Sequence, residues 1–245
     1  MSAPTLIGKS AVVTGGTRGI GLAIAKSLLQ EGVRVLISGT KQSTVDAALK
    51  KLREGKAEAT VAGIVADVAD LGQVRSMLAA AKQQFGGIDI LVNNAGIGYF
   101  ASVEKLSPEQ FQRMLATNLT GLFYCSREIV PLFRERGGGD VVNISSLAGI
   151  NPFAGGAGYN ATKFAVNGFS EAMMLDHRYD GVRVSYVMPG SVDTEFAGMA
   201  AGAGSDWKIW PEDVAAATLL ILKTPRRTTI SRIEIRPSLP PQKRA

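Results

Sequence analysis

The chain has 245 residues, 46% of them hydrophobic, with a formal net charge of +6 and a single cysteine, Cys125. This length suits one large domain or two small ones, and the scattered basic residues lack a base-reading motif, so we expect no nucleic-acid partner. The lone cysteine excludes an intramolecular disulfide, no apolar run reaches the roughly 18 residues of a membrane span, and the first residues are no secretory signal. A cytoplasmic protein without a membrane segment is therefore expected.

Short apolar runs alternate with longer amphipathic ones along the chain. The predicted strands, several continuously apolar as in strands covered on both faces, are 11–13, 33–37, 60–65, 88–92, 141–144, 182–187 and 233–235. The predicted helices between them are 19–31, 43–54, 70–85, 108–136, 159–177 and 211–223. This alternation predicts an α/β fold with a doubly wound parallel sheet of about seven strands in one domain, residues 1–245. Residues 198–204 are predicted to form a mobile loop, and residues 237–245 a loose tail.

The first predicted strand runs into a glycine-rich turn, residues 14–21, which opens the first helix. Such a turn offers backbone N–H groups and the positive end of a helix to a phosphate. Gly16 and Gly21 have the spacing of a nucleotide-hydrolysing P-loop, but Leu22 and Ala23 stand where Lys and Ser or Thr should follow. The turn therefore indicates a dinucleotide, although its glycines depart from the common G-x-G-x-x-G spacing. A tight turn without a ligand is the alternative.

The end of the second predicted strand indicates which dinucleotide is bound. An NAD-binding loop presents a carboxylate to the adenosine ribose about 20 residues after the glycine turn. This chain has Gly39, Thr40 and Lys41 at that place, with no carboxylate before Asp46. Gly39 leaves room for a 2′-phosphate and Thr40 can donate a hydrogen bond to it. Because Lys41 and Arg18 can supply positive charge, the sequence predicts NADP(H) in preference to NAD.

Tyr159 and Lys163 are four residues apart in a predicted helix, so their side chains share one face. A free phenol has a pKa of about 10 and is a poor base at neutral pH, but a neighbouring cation stabilises the phenolate. The pair therefore predicts a tyrosine of lowered pKa that acts as acid and base. Taken alone, a pair with this spacing more often belongs to an ordinary solvated helix face.

Six sequence features occur in the order and spacing of one known family. They are the glycine turn 14–21, the Asn-Asn-Ala-Gly stretch 93–96, Asn118, the Asn-Ile-Ser-Ser stretch 143–146, the Tyr159/Lys163 pair, and Pro189 with Gly190. From about residue 9 to residue 235 the chain resembles the short-chain dehydrogenases/reductases. It is most similar to NADP-preferring members that include the 3-oxoacyl-carrier-protein reductases. The resemblance implies a single Rossmann-type domain with helices on both faces of the sheet.

The resemblance also implies four catalytic roles. Tyr159 would protonate a carbonyl oxygen as hydride arrives, or act as the base in the reverse direction. Lys163 would lower the pKa of the tyrosine and hold the nicotinamide ribose hydroxyls. Ser146, in preference to Ser145, would hydrogen-bond the substrate oxygen. Asn118 would support a water that passes protons to Lys163. A turn serine and a backbone-bonding amide are the alternative interpretations of Ser146 and Asn118.

The implied cofactor contacts extend over most of the chain. Asp67 and Val68 would meet the adenine and Asn94 the adenosine ribose, while Val192 and Thr194 would lie against the nicotinamide carboxamide. A helix cap for Asp67 and a turn role for Asn94 are the alternatives. The full set is Gly15, Thr17, Arg18, Gly19, Ile20, Gly21, Thr40, Lys41, Asp67, Val68, Asn94, Gly96, Tyr159, Lys163, Pro189, Gly190, Val192 and Thr194. In the family, Tyr99, Phe100 and residues 195–207 form pocket walls, and their identities here indicate an apolar substrate portion.

The leading hypothesis is an NADP(H)-dependent oxidoreductase that interconverts a ketone or 3-oxoacyl group and a secondary alcohol. A sugar, polyol or hydroxy-acid dehydrogenase with the same machinery is the alternative, because the fold does not select the substrate. A non-catalytic dinucleotide-sensing regulator is disfavoured, since every expected catalytic residue is present. With one histidine and one cysteine, no zinc site is expected. The resemblance implies a homodimer or homotetramer formed through the helices 108–136 and 159–177.

Overall fold

A computed structural model describes residues 5–54, 60–197, 202 and 206–240. Its strands are β1 (Ser10–Val13), β2 (Arg34–Gly39), β3 (Val61–Val65), β4 (Ile90–Asn93), β5 (Gly139–Ile144), β6 (Val182–Pro189) and β7 (Arg232–Ile235). Its α-helices are α1 (Gly19–Gln30), α2 (Gln42–Arg53), α3 (Leu71–Phe85), α4 (Pro108–Leu115), α5 (Gly121–Glu135), α6 (Ala157–His177) and α7 (Pro211–Leu222). A π-helical turn covers Ala116–Thr120, and 3₁₀ turns cover Leu147–Gly149 and Arg178–Asp180.

The seven strands form one parallel sheet in the order β3-β2-β1-β4-β5-β6-β7. The order reverses between β1 and β4, which pair Ala11 with Ile90 and Val13 with Val92. In an open α/β sheet the ligand crevice lies outside the carboxyl ends of the strands at this reversal. The predicted doubly wound sheet is thereby confirmed, and the site is expected where β1 and β4 end.

Each face of the sheet is covered by its own apolar core, because successive side chains of a buried strand point to opposite faces. Val13 lies in one core with residues of α1, α2 and α7, among them Leu28 and Val214. The neighbouring Val12 lies in the other core with residues of α3, α5 and α6, among them Met77. Helices therefore pack on both faces, as the continuously apolar strands predict.

The predicted helix over 108–136 differs from the observed structure, in which it is interrupted. Helix α4 begins at a capping box, where the Ser107 hydroxyl accepts a hydrogen bond from the Gln110 backbone N–H at 3.2 Å. The π-helical turn follows at Ala116–Thr120, before α5 resumes regular spacing. A π turn adds a residue to the helical ladder and is frequent at functional sites. The apolar periodicity continues across it, so the sequence did not reveal the interruption.

Three further predictions concern single residues and segments. Cys125 is buried, and burial raises the pKa of its thiol to about 12, so the thiol is protonated and unreactive at neutral pH. The predicted loop 198–204 lies outside the described residues except for Gly202, and so do residues 241–245 of the predicted tail. Of the helices in the described ranges, none combines the length and apolar character that crossing a bilayer needs.

Candidate active site

The glycine turn between β1 and α1 is held in shape by an asparagine from β4's end. Gly15 and Gly19 have φ values of +61° and +52°, in the region that favours glycine. The Asn94 amide nitrogen donates to the carbonyl oxygens of Thr14 at 2.9 Å and Gly15 at 3.0 Å. No side chain caps the N-terminus of α1, so its first N–H groups are left for a ligand, as in phosphate-binding helix ends.

Gly39 has a second role besides leaving space. A Cβ atom at Gly39 would lie 2.5 Å from Cγ2 of Thr17, so the glycine turn can approach the end of β2 only because no side chain intervenes. Thr40 and Lys41 follow as exposed residues, and the Lys41 side chain does not cap α2. Thr40 and Lys41 thus lie at an open edge next to the glycine turn. Their side chains have the hydrogen-bond donor and the positive charge that suit the 2′-phosphate of a dinucleotide.

Arg18 makes a contact that the sequence did not suggest. Its guanidinium Nη1 lies 3.5 Å from Oε2 of Glu195, and both side chains are largely exposed. The loop after β6 also meets the glycine turn at Thr194, whose Cγ2 lies 3.1 Å from the Cβ position of Gly19. The glycine turn and the loop after β6 are therefore in contact across the end of the sheet.

Gly96 lies between two of the predicted catalytic side chains. A Cβ at this position would be 3.5 Å from Oδ1 of Asn118 and 3.9 Å from Nζ of Lys163. A larger residue would therefore crowd both groups. The structure brings Gly96, Asn118 and Lys163 together as the family resemblance implies.

Other predicted cofactor residues have structural contacts of their own. Asp67 is exposed and its carboxylate accepts from the Ala69 backbone N–H at 2.9 Å, whereas Asp70 caps α3. Val68 is buried against Gly121, whose Cβ position lies 2.6 Å from Cγ2 of the valine. The helix-cap alternative for Asp67 is thus wrong for this residue, because the neighbouring Asp70 fills that role.

The branched side chains of the predicted set contribute to the core. Ile20 and Val192 pack against the apolar core of the α1 face. Pro189 ends β6, and the Gly190 backbone N–H donates to the carbonyl of Ile235 at 2.8 Å, which fixes the start of the following loop. Any contact of Ile20 or Gly190 with a cofactor therefore involves mainly backbone atoms.

Tyr159 is the buried phenol of the site. Only 8% of its surface is exposed, and its ring packs edge-on against Phe100 with centroids 5.5 Å apart. Burial raises the pKa of Tyr159 to about 12, while a hydrogen bond with Ser146 lowers it. The net direction is opposite to the predicted lowering, because desolvation of the phenolate outweighs the hydrogen bond.

Lys163 is buried close to Tyr159 but is bonded elsewhere. Its ammonium donates to the carbonyl oxygen of Ile144 at 2.9 Å and lies 5.7 Å from the centre of the Tyr159 ring. Burial lowers the pKa of Lys163 to about 8. The predicted lowering of the tyrosine pKa by Lys163 is therefore not observed, since the ammonium is hydrogen-bonded to a backbone carbonyl instead.

The two serines at the end of β5 have different partners. The Ser145 hydroxyl donates to Oδ1 of Asn167 at 2.5 Å, so it is occupied by α6. The Ser146 hydroxyl accepts from the Ala148 backbone N–H at 3.1 Å, and it lies near enough to Tyr159 to lower the pKa of the phenol. This geometry fits the preference for Ser146, and it gives Ser145 a structural role.

Three side chains of α6 hold the segment that carries Ser146. The amide nitrogens of Asn160 and Asn167 donate to the carbonyls of Ala148 at 2.7 Å and Gly149 at 3.1 Å, and Lys163 supplies its bond to the preceding strand. Sequence reasoning missed both asparagines. Their spacing of three and four residues from Lys163 places all three on one helix face, which was the available signal.

Asn118 lies in the π turn and is 2% exposed. Its Oδ1 accepts from the Ile97 backbone N–H at 2.8 Å, and its Nδ2 donates to the Ile97 carbonyl at 2.9 Å and to Thr162 Oγ1 at 3.1 Å. The Asn118 side chain therefore holds the backbone of the loop after β4, just before Tyr99. This agrees with the alternative interpretation of Asn118 as an amide that bonds to the backbone. Within the described ranges, no group of three or more His, Cys, Asp or Glu side chains could hold a metal ion.

The chemistry of the site follows from these contacts. A buried phenol and a serine hydroxyl lie beside each other at the carboxyl edge of the sheet, next to a glycine turn whose free N–H groups can receive a phosphate. Such a pair can hold the oxygen of a carbonyl or alcohol and move a proton to or from it.

Comparison with known proteins agrees with this arrangement. The family model described as short chain dehydrogenase matches residues 9–202. The 3α-hydroxysteroid dehydrogenase of Mediterraneibacter gnavus is 41% identical over 187 residues, which cover 76% of this chain and 75% of that protein. An alcohol dehydrogenase from the archaeon Thermococcus sibiricus, complexed with 5-hydroxy-NADP, superposes with a TM-score of 0.88 at 28% identity and covers 96% of this chain and 99% of its own. An actinorhodin polyketide ketoreductase with NADPH gives a TM-score of 0.86 at 29% identity, covering 96% and 98%.

Proposed function

The chain belongs to the short-chain dehydrogenase family, and we propose that it uses NADP(H) to interconvert a ketone, or a 3-oxoacyl group, and a secondary alcohol. The observation that carries this proposal is the buried phenol of Tyr159, which lies beside Ser146 and Lys163 at the carboxyl edge of the sheet. Two similar proteins, one named a hydroxysteroid dehydrogenase and one a polyketide ketoreductase, support a substrate with a ketone or a secondary alcohol group.

The residues around the glycine turn fit an NADP(H) molecule. The positive φ of Gly15 and Gly19 and the uncapped end of α1 suit a pyrophosphate. Thr40 and Lys41 stand where a carboxylate would select NAD. Solved structures of similar fold hold NADP or its derivatives. When bound, the nicotinamide supplies the hydride.

Tyr159 supplies the proton in the direction of reduction. With a pKa of about 12, its phenol stays protonated at neutral pH and is ready to donate to a carbonyl oxygen. Ser146, beside it, can hydrogen-bond and orient that oxygen. Oxidation of an alcohol requires the phenolate, which burial disfavours. We therefore expect the rate of alcohol oxidation to rise with pH above neutrality.

Lys163 and Asn118 act behind the tyrosine. The Lys163 ammonium fixes the end of β5 through Ile144, and its pKa of about 8 leaves it largely charged at neutral pH. The Lys163 Nζ lies 3.9 Å from the point where a Cβ atom on Gly96 would stand. From there the ammonium would reach a hydroxyl of the nicotinamide ribose. Asn118 keeps Gly96 and Ile97 in place through its bonds to the Ile97 backbone.

The test is a spectrophotometric assay of NADPH oxidation with a panel of ketones, 3-oxoacyl thioesters, sugars and hydroxy acids in both directions. We expect ketone reduction with NADPH, slower turnover with NADH, and a loss of roughly 10²–10⁴-fold in kcat for Tyr159→Phe. Tyr186→Phe is the matched control, because Tyr186 is also buried but bonds Glu171 outside the site. Full turnover of Tyr159→Phe would refute the mechanism, and a preference for NADH would refute the cofactor assignment.

The proposal includes a homodimer or homotetramer in the cytoplasm. Large apolar side chains stay exposed on α5 and α6, with Phe123 42%, Phe164 46% and Leu175 57% accessible. Burying these side chains against a second copy of the chain would be favourable. Light scattering after size exclusion is expected to give two or four times the chain mass, and Phe164→Asp to lower it. A monomeric wild type would contradict this part.

A further inference from the structure

Three phenylalanines border Tyr159 and form what is here called the aromatic wall: Phe100, Phe153 and Phe196. They come from the loops after β4, β5 and β6, which are neighbours in the sheet. Phe100 lies 5.5 Å from Phe153 and 6.4 Å from Phe196 between ring centroids, and Phe196 lies 5.7 Å from Tyr159. The wall is therefore continuous with the ring that carries the reacting hydroxyl.

The wall is apolar surface that the fold leaves uncovered. Phe100 is 44% exposed and Phe153 is 46% exposed, although both contact other rings. Exposed aromatic patches next to a polar reacting group are typical of ligand sites. Gly98 permits the arrangement, because a Cβ there would lie 2.8 Å from the Phe196 ring.

The stretches of these loops that carry the three rings contain no charged residue. The sequence has no Asp, Glu, Lys or Arg in 94–103, 145–158 or 196–205. Three cations at this edge of the sheet already have partners: Arg18 pairs with Glu195 at 3.5 Å, Lys208 with Asp193 at 3.9 Å, and Lys163 donates to a backbone carbonyl. A substrate carboxylate or phosphate would therefore lose its hydration on this wall without gaining a partner, which is costly.

Two polar side chains beside the wall already donate hydrogen bonds within the protein. Asn160 donates to the carbonyl of Ala148, and Ser102 donates to Glu104 at 2.6 Å. A sugar or polyol would find few groups to replace the water on its hydroxyls. Rigid rings, in contrast, gain contact with aromatic side chains and lose little conformational entropy on binding.

From these observations we propose that the substrate is an uncharged, ring-bearing ketone or the matching alcohol, held against Phe100 and Phe153 while Tyr159 exchanges its proton. This inference rests on the proposed ketone reduction and names its substrate class. Phe100 and Phe153 are specificity-determining residues in this account. A hydroxy acid or a sugar is a poor substrate.

The experiment compares three ketones of ten carbons with NADPH: 2-decalone, which has two fused rings, 2-decanone, which is a flexible chain, and 9-oxodecanoate, which adds a carboxylate. Acetone, which is too small to reach the wall, measures the chemistry alone. For the wild type we expect kcat/KM to be highest for 2-decalone, with 9-oxodecanoate lower by about 100-fold.

Variants then test the two phenylalanines. Phe100→Ala and Phe153→Ala are each expected to raise KM for 2-decalone by about tenfold and to lower the ratio of kcat/KM for 2-decalone to kcat/KM for acetone by a similar factor. The control is Tyr179→Ala, since Tyr179 is 96% exposed and outside the site. Phe153→Arg keeps the position filled and is expected to move the ratio of kcat/KM from 2-decalone toward 9-oxodecanoate by about tenfold or more.

The outcomes separate this inference from the proposed function. Equal kcat/KM for the three ketones, or a preference for 9-oxodecanoate or 2-decanone, would refute the inference and leave ketone reduction standing. So would variants of Phe100 and Phe153 that keep the wild-type KM for 2-decalone. Absence of turnover with every carbonyl, acetone included, would refute the proposed function and this inference with it.

Discussion

Replacing Lys163 by methionine should make the protein more stable at neutral pH and should remove a specific pH dependence. Lys163 is 6% exposed, and burial lowers its pKa to about 8 from an ordinary value of 10.5. Because the folded pKa is below the unfolded one, the unfolded chain binds more protons between about pH 8 and 10.5. The free energy of unfolding therefore rises with pH in that window.

The magnitude follows from the two pKa values. One pKa unit corresponds to about 1.4 kcal/mol, so the buried charge costs about 3 kcal/mol at pH 7. About 2 kcal/mol of this cost disappears by pH 9.5, where the folded lysine is neutral. The lost hydrogen bond to Ile144 costs the variant about 1 kcal/mol at every pH. The stability advantage of Lys163→Met should therefore shrink by about 2 kcal/mol from pH 7 to pH 9.5.

Urea denaturation at half-unit intervals of pH, followed by circular dichroism, measures this difference. Lys50→Met is the control, because Lys50 is exposed on α2 and its replacement should shift stability by the same amount at each pH. If the difference in free energy of unfolding between wild type and Lys163→Met stays constant from pH 7 to pH 9.5, burial of the Lys163 ammonium does not cost the folded protein the free energy given above.

Three further changes test other contacts. Gly39→Ala is expected to weaken NADPH binding about tenfold in a fluorescence titration, because its Cβ would lie 2.5 Å from Thr17. Gly168→Ala on α6 is the control and should bind NADPH as the wild type does, because its Cβ would meet nothing within 4 Å. Equal binding by the two variants would refute the argument that the glycine turn needs Gly39 for its close approach to β2. Asn167→Ala should lower kcat by about 10-fold to 100-fold through a misplaced serine segment while the Kd for NADPH stays unchanged, and an unchanged kcat would show that the segment needs no such support. Cys125 should resist a thiol reagent at pH 8 until the protein unfolds, since its pKa is raised to about 12, and fast labelling of the folded protein would contradict its burial.

The sheet and its order of helices could be predicted because burial on both faces leaves a direct mark on the sequence. Strands β1 and β4 contain the apolar runs Ala-Val-Val and Ile-Leu-Val, and the glycine turn marks the switch from strand to helix. The interruption at Asn118 could not be seen, because a π turn changes the hydrogen bonds without breaking the apolar pattern.

The contacts between strands were equally hidden from the sequence. Asn93 and Asn143 stand opposite each other on β4 and β5, and the Asn93 amide donates to Oδ1 of Asn143 at 2.9 Å within the core. Only the register of the two strands creates this pair. Buried polar side chains with such partners help to specify one register, since a shifted strand would leave them unsatisfied.

The site was predictable as a set of residues but not in its electrostatics. The spacing of Tyr159 and Lys163 placed them on one face, and the structure does bring them near each other. The direction of the Tyr159 pKa depended on how deeply the ring is buried and on where the ammonium donates. Both follow from packing among Phe100, Phe196 and the end of β5, which no local pattern records.

The most direct measurement uses NADPH that carries deuterium at C4 of the nicotinamide, the carbon that gives up the hydride. It follows the deuterium into the alcohol formed from 2-decalone. We expect deuterium on the carbinol carbon with the wild type and with Tyr186→Phe, and almost no product with Tyr159→Phe. Product without deuterium from the wild type, or labelled product formed by Tyr159→Phe at the wild-type rate, would contradict hydride transfer with Tyr159 as the proton donor.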